Sequence, residues 1–167
     1  MSIVTLGLSK IEVGDIAEDG SMGTTLKSLG FTYQDTCKMS TDDAEETDHY
    51  AEEQDDPVVT TVRVGRTRFV FSEMDADLQV LADLLGGEIT GTGPTEKWEA
   101  PAKLPIIEKS VKITPDQGLQ FEIPRMRLVS KFNAEFSKKG IMLIEVAGTV
   151  YTPTKTGESK MTASKIA

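Results

Sequence analysis

His49 and Cys37 are the only histidine and the only cysteine in the chain, and either would need company to do chemistry. An imidazole acts as a base when a partner orients it beside a nucleophile or a substrate pocket. His49 stands instead in a run of carboxylates. Cys37 falls in a stretch with strand alternation, where a thiol reads as a small core residue and not a nucleophile. A single cysteine also excludes an internal disulfide and a cysteine-based zinc site. The densest set of possible ligands is the acidic run from Ser40 to Pro57, with Asp42, Asp43, Glu45, Glu46, Asp48, Glu52, Glu53, Asp55 and Asp56. It lacks the Asp-x-Asp-x-Asp-Gly spacing and the turn glycine of a helix–loop–helix calcium site, so it predicts only weak, unspecific attraction of cations. The glycines from Gly86 to Gly93 look like a phosphate loop. They follow a helix instead of preceding one, meet its negative end, and lack the P-loop lysine. Paired carboxylates in an apolar setting, which would raise one pKa, are not evident. These residues point to no enzyme, no cofactor and no bound metal.

The elements that must carry these residues are mostly strands. From Leu104 to Tyr151 the sequence alternates in three segments. Ile107, Val111 and Ile113 oppose Glu108, Ser110 and Lys112, and Leu119, Phe121 and Ile123 oppose Gln120 and Glu122. A period of two marks half-buried strands. Thr114 to Gly118 holds the Pro, Asp and Gly of a reversal. The spacing therefore predicts an antiparallel meander, Leu119 to Ser130 being its middle strand and Ile141 to Tyr151 its last. After Pro124 the apolar parity changes, from Phe121 and Ile123 to Met126 and Leu128. A one-residue shift exchanges the faces of a strand, so a bulge or a change of sheet is expected at Pro124. The last segment is apolar on both parities, which predicts a central strand or one that meets another subunit.

Upstream, Ile3 to Val13 reads as a first strand, Thr25 to Leu29 as a short turn, and Phe31 to Met39 as a strand. The acidic run cannot bury enough surface to offset its ordering entropy, which predicts a mobile loop with a helical turn or two between Ala44 and Gln54. Val58 to Phe71 reads as one bulged strand or as two strands meeting near Gly65. Ser72 and Asp75 are candidate caps of one helix, in which Met74, Leu78, Leu81, Leu84 and Leu85 recur at helical spacing until Gly86-Gly87 stops it. Glu88 to Ala102 is a connector with a short strand at Lys97 to Ala100. The basic tail after Thr152 is expected to fray or to dock on another subunit.

With 167 residues and 38% apolar content the chain suits one domain. That domain spans residues 1–152, including the acidic loop at 40–57, and residues 153–167 form the tail. The net charge of −9 and pI of about 4.7 disfavour binding to nucleic acid or to an anionic membrane. The start lacks a basic, then apolar, leader, so a cytosolic chain without an export signal is expected. The fold class expected is mainly β, an antiparallel β-sandwich or barrel with one flanking helix and long loops.

The order of strand, long loop, strand, helix, linker and meander resembles the major tail tube proteins of bacteriophages and the inner-tube proteins of contractile injection systems. Phe69 to Asp75, Leu81 to Gly87 and Phe132 to Val150 carry the likeness. The resemblance implies hexameric rings stacked into a tube, a homo-oligomer that meets other tail proteins. DNA would pass through the lumen without specific binding. It implies a virion location after assembly in the host cytoplasm. The acidic balance would suit a lumen along which DNA slides, an expectation that a basic bore would defeat. Asp42, Asp43, Glu45, Glu46, Asp48, Glu52 and Glu53 are candidate inter-ring contacts, with Arg63, Arg66, Arg68 or the basic tail as receiving charges. From another class, the chain also reads as a cytosolic β-sandwich that binds a protein or carbohydrate through its loops, Trp98 and Tyr151 being the contact aromatics.

Overall fold

A computed structural model describes residues 2–167. Among them are twelve strands and one α-helix: β1 Lys10–Gly14, β2 Leu26–Ser28, β3 Lys38–Thr41, β4 Glu45–His49, β5 Val59–Arg63, β6 Thr67–Glu73, α1 Leu78–Leu85, β7 Glu88–Thr90, β8 Lys97–Glu99, β9 Ile107–Thr114, β10 Leu119–Ala134, β11 Met142–Val150 and β12 Thr162–Lys165. Eight strands form one antiparallel sheet in the order β2-β1-β9-β10-β11-β6-β3, with β12 pairing β10. The sheet curls into a half-barrel.

The alternation of the meander becomes the two faces of this sheet. Val111, Ile113, Ile123, Met126, Leu128, Ile144 and Val146 are buried on the inner face with Ile11, Val13, Phe69 and Phe71. β11 lies between β10 and β6, hence its apolar character on both parities. At Pro124 the register slips: Ile123 faces Val111, but Met126 faces Lys109. One extra residue on β10 lets Ile123 and Met126 both point inward, which is the parity change seen in the sequence. Buried Ser110 holds the bulge. Its hydroxyl donates to the Pro124 carbonyl at 2.8 Å and accepts from the Gly23 N–H at 2.8 Å. Ser110→Ala would strand both groups and is expected to lower stability by about 1–3 kcal/mol, read from urea unfolding. An unchanged midpoint would show that water replaces the hydroxyl.

Helix α1 begins later than the sequence implied. Asp77, not Ser72 or Asp75, is the N-cap, accepting from the Val80 N–H at 2.9 Å. Ser72 belongs to β6, and Met74 precedes the helix and is exposed. Val80 and Leu84 are the helix residues buried in the core, with Leu81 and Leu85 packed alongside. Gly86 ends the helix at φ +77°, a left-handed conformation that glycine adopts without a Cβ clash.

Four upstream and terminal expectations need correction. Only Lys10–Gly14 of the first stretch is a strand, and Ile3, Val4 and Leu6 remain exposed. Thr25 to Leu29 contains β2 rather than a turn. Phe31 to Cys37 is irregular, and the strand starts at Lys38. The tail docks on its own subunit: β12 pairs residues 119–122 of β10, beside the segment that β11 covers. Such pairing occupies the donors and acceptors that the edge of β10 would otherwise leave free.

Candidate assembly surface

The acidic run is only partly loop: Ser40 and Thr41 end β3, Glu45–His49 is β4, and residues 50–57 form an irregular turn in place of the expected helical segment. β4 and β5 pair with each other alone, matching Glu45 with Arg63, Glu46 with Val62, Thr47 with Thr61, Asp48 with Thr60 and His49 with Val59. β-Branched residues on β5 and opposed charges at the base supply the cross-strand pairs that stabilise a hairpin. The Thr60 hydroxyl donates to Asp48 at 2.6 Å. Every residue of both strands is exposed, so the hairpin is an arm with solvent on both faces. A two-stranded arm without an apolar face to bury is marginal by itself. Both of its outer edges also carry free backbone groups ready to pair.

Gly65 separates the arm from the sheet. A side chain there would collide with the Asp42 carbonyl, so the chain can cross tightly only at a glycine. Val58 to Phe71 is therefore two strands in two sheets, β5 in the arm and β6 in the half-barrel. The candidate contact residues divide accordingly. Asp42, Asp43, Glu45, Arg63, Arg66 and Arg68 gather around one shallow cleft at the arm's base. Arg68 Nε lies 3.1 Å from Asp42 there. Glu46 and Asp48 lie along the arm, and Glu52 and Glu53 lie in the turn beyond His49. Two of the arginines expected to receive a neighbour's acids thus face acids of their own chain: Arg68 pairs with Asp42, and Arg63 stands opposite Glu45 in register.

Sequence reasoning missed a second set of charges. Tyr151, on the outer face of the sheet, has three guanidinium groups over its ring: Arg127 at 4.8 Å, Arg125 at 5.6 Å and Arg66 at 5.7 Å. Each contact is a cation–π interaction. Glu108 is the carboxylate among them. It accepts from Arg125 through both oxygens, at 3.0 and 3.1 Å, and from Arg127 at 3.2 Å. The hydrogen bond from Arg125, then that from Arg127, outweighs burial and holds the Glu108 carboxyl below its ordinary range. Arg127 Nε is buried without an acceptor among the described residues. The bulge at Pro124 was the available signal, because the parity change it causes turns Arg127 to the face opposite Met126 and Leu128.

Glu73 was also missed, since only paired carboxylates were sought in an apolar setting and this one is buried singly. It is fully buried at the end of β6. Its Oε1 accepts from the Asp75 N–H at 3.4 Å, and its Oε2 has no partner among the described residues. Burial, with repulsion from Asp75, raises its pKa to about 7, against the partial relief of backbone hydrogen bonds. The strand alternation Phe69, Phe71, Glu73 already pointed it inward.

The other chemistry-bearing residues are quiet. His49 is exposed at the far end of β4. Cys37 is partly packed on the core, and burial pushes its thiol up to about 11, away from the reactive thiolate. Among the described residues no group of three or more His, Cys, Asp or Glu side chains is arranged to hold a metal, and no helix is long and apolar enough to cross a membrane. Trp98 is half-buried. Its indole N–H donates to the Gly86 carbonyl at 2.8 Å, and its ring meets Phe132 edge-on at 6.0 Å. Neither known protein-family models nor curated proteins give a match to this chain.

Proposed function

We propose that this chain is a structural virion protein whose copies form hexameric rings stacked into a bacteriophage tail tube. The observation that carries this reading is the β4–β5 arm, ordered yet solvated on both faces, which gains a buried surface only when another molecule covers it. The exposed edge strands β2 and β3 support it in the same way, as pairing surfaces at the two ends of an incomplete barrel. Rings close such contacts in one direction, and stacking leaves them open in the other. In this reading the tube is assembled in the host cytoplasm and meets other tail proteins. DNA passes through its lumen without specific binding, and no enzymatic step is involved. Sedimentation velocity across a range of concentrations tests the self-association. The expected result is a shift from monomer to hexamer-sized and larger species; a single monomer boundary throughout would reject it.

A binding-module reading draws on one observation. The half-barrel is open along a cleft of about 790 Å³, lined by Leu8, Phe31, Tyr33, Phe69 and Phe121 among others. The aromatics first expected to make such contacts are engaged within the chain, Trp98 with Gly86 and Phe132, and Tyr151 beneath its arginines. A protein or carbohydrate that shields Phe31 and Tyr33, in a chain that stays monomeric, would favour the module.

A further inference from the structure

The arm and the arginine cluster are complementary, yet the fold keeps them apart within one molecule. Arg66, Arg125 and Arg127 share the outer face at one end of the sheet, around Tyr151, and Glu108 is the carboxylate paired among them. Over the Tyr151 ring itself, three cations face one anion, a local excess of positive charge on a chain of net charge −9, although Arg66 also borders the cleft that holds Asp42, Asp43 and Glu45. Arg125 and Arg127 are partly withdrawn from water, with side chains 25% and 37% exposed. Their mutual repulsion is therefore screened less than at an open surface. Arg66 is exposed, with no carboxylate within ion-pair distance among the described residues.

The opposite charge sits at the far end of the arm. Glu52, Glu53, Asp55 and Asp56 lie in the turn between β4 and β5 and have no cationic partner among the described residues. Arg66 lies at the arm's base, between β5 and β6. Each strand of the arm has five residues, and at about 3.4 Å per residue the paired segment is roughly 17 Å long. A paired hairpin of that length cannot fold back on its own root. The tip acids are thus held out of reach of their own cluster and presented to another copy's.

The surface beside the cluster also fits the arm. Val70, Ala147 and Val129 form one cross-strand row on the outer face, and Val70 and Val129 remain 39% and 53% exposed. Near its tip, opposite His49, the arm offers Val59, which is exposed as well, while Val62 lies on the arm's other face. Val59 can bury against that row while the acids beyond it reach the guanidinium groups.

Resting on the self-assembly reading above, we infer that the arm tip of one copy docks on the Tyr151 arginine cluster and adjoining valine row of the next copy. The contact is head-to-tail: donor and receiver are different surfaces of one chain, so it propagates or closes into a ring according to the rotation per step. Salt weakens it, because the paired charges are only partly buried.

Charge exchange tests this. Arg66→Glu changes an exposed side chain at the receiver, and Glu52→Lys with Glu53→Lys changes the tip; unfolding curves confirm that each variant is folded. Each variant alone is expected to raise the concentration needed for assembly at least roughly tenfold. A one-to-one mixture of the two variants is expected to recover assembly, since each lysine tip then finds a glutamate receiver and each acidic tip an arginine one. Recovery in the mixture requires contact between copies, which a fold-back within one chain would not give. If both variants assemble like the parent chain, or if both fail and the mixture does not recover, the docking site is wrong while self-assembly stands. If the parent chain never assembles, the docking site falls with the reading beneath it.

Discussion

Excising the arm, by replacing residues 43–64 with a short Gly-Ser link, is expected to leave a folded, soluble monomer that forms no tubes. Two features make the excision clean. The ends are already adjacent, since the Asp42 N–H donates to the Arg66 carbonyl at 2.9 Å, so a short link closes the gap at little entropic cost. The arm also contributes no residue to the buried core. Its removal should change the melting temperature by no more than about 2 °C, the effect of a few tenths of a kcal/mol on a domain of this size. Removing only Asp43 to Asp55 would be less informative, because it takes β4 and leaves β5 as an unpaired strand. Calorimetry checks the fold, and light scattering checks assembly. A collapsed melting temperature would make the arm part of the folding unit. Normal assembly of the excised chain would remove the arm from the interface.

Glu73→Gln is expected to stabilise the protein at neutral and alkaline pH and to do little in acid. The sign follows from the two states. A free glutamate titrates near 4.5, and buried Glu73 titrates at about 7. Below 4.5 the carboxyl is protonated in both states, so ionisation adds no penalty. Between 4.5 and 7 the unfolded chain releases the proton while the folded chain holds it, so stability falls as pH rises. Above 7 both are ionised and the loss is complete, on the order of 3 kcal/mol. Glutamine cannot ionise, so the gap between variant and parent should open across that window and then stay constant. Urea unfolding of both proteins at pH 5 and pH 8 measures it. An equal gap at the two pH values would mean that the Glu73 carboxylate is solvated in the folded state. Using the difference between proteins isolates Glu73 from Glu108 and Asp15, whose lowered pKa values act in the opposite direction at low pH.

The meander was legible because its burial is one-sided and continuous. Alternation over β9 and β10 and the parity change at Pro124 gave the strands, the central place of β11 and the bulge, all of which the structure contains. The upstream half was less legible for a physical reason. Phe31 to Met39 alternates, but Phe31 is 72% exposed, so its pattern has no core behind it. The acidic run misled through composition. Charge density argued for disorder, whereas Val59, Thr60, Thr61 and Val62 opposite it supply strand-forming partners from outside the run. β12 was hidden because Thr162 to Lys165 pairs through its backbone and buries no side chain. The Tyr151 cluster joins residues from β9 and β10 with one just before β6 and one just after β11. Charges so far apart in sequence meet only once the register of the sheet is known.

In the proposed assembly the fold is completed by further copies of itself. Negative-stain electron microscopy of the purified chain, concentrated at low ionic strength, tests this most directly. The account predicts rings with sixfold symmetry and stacks of them around a central channel. A field of uniform single subunits, unchanged at the highest concentration reached, would contradict it.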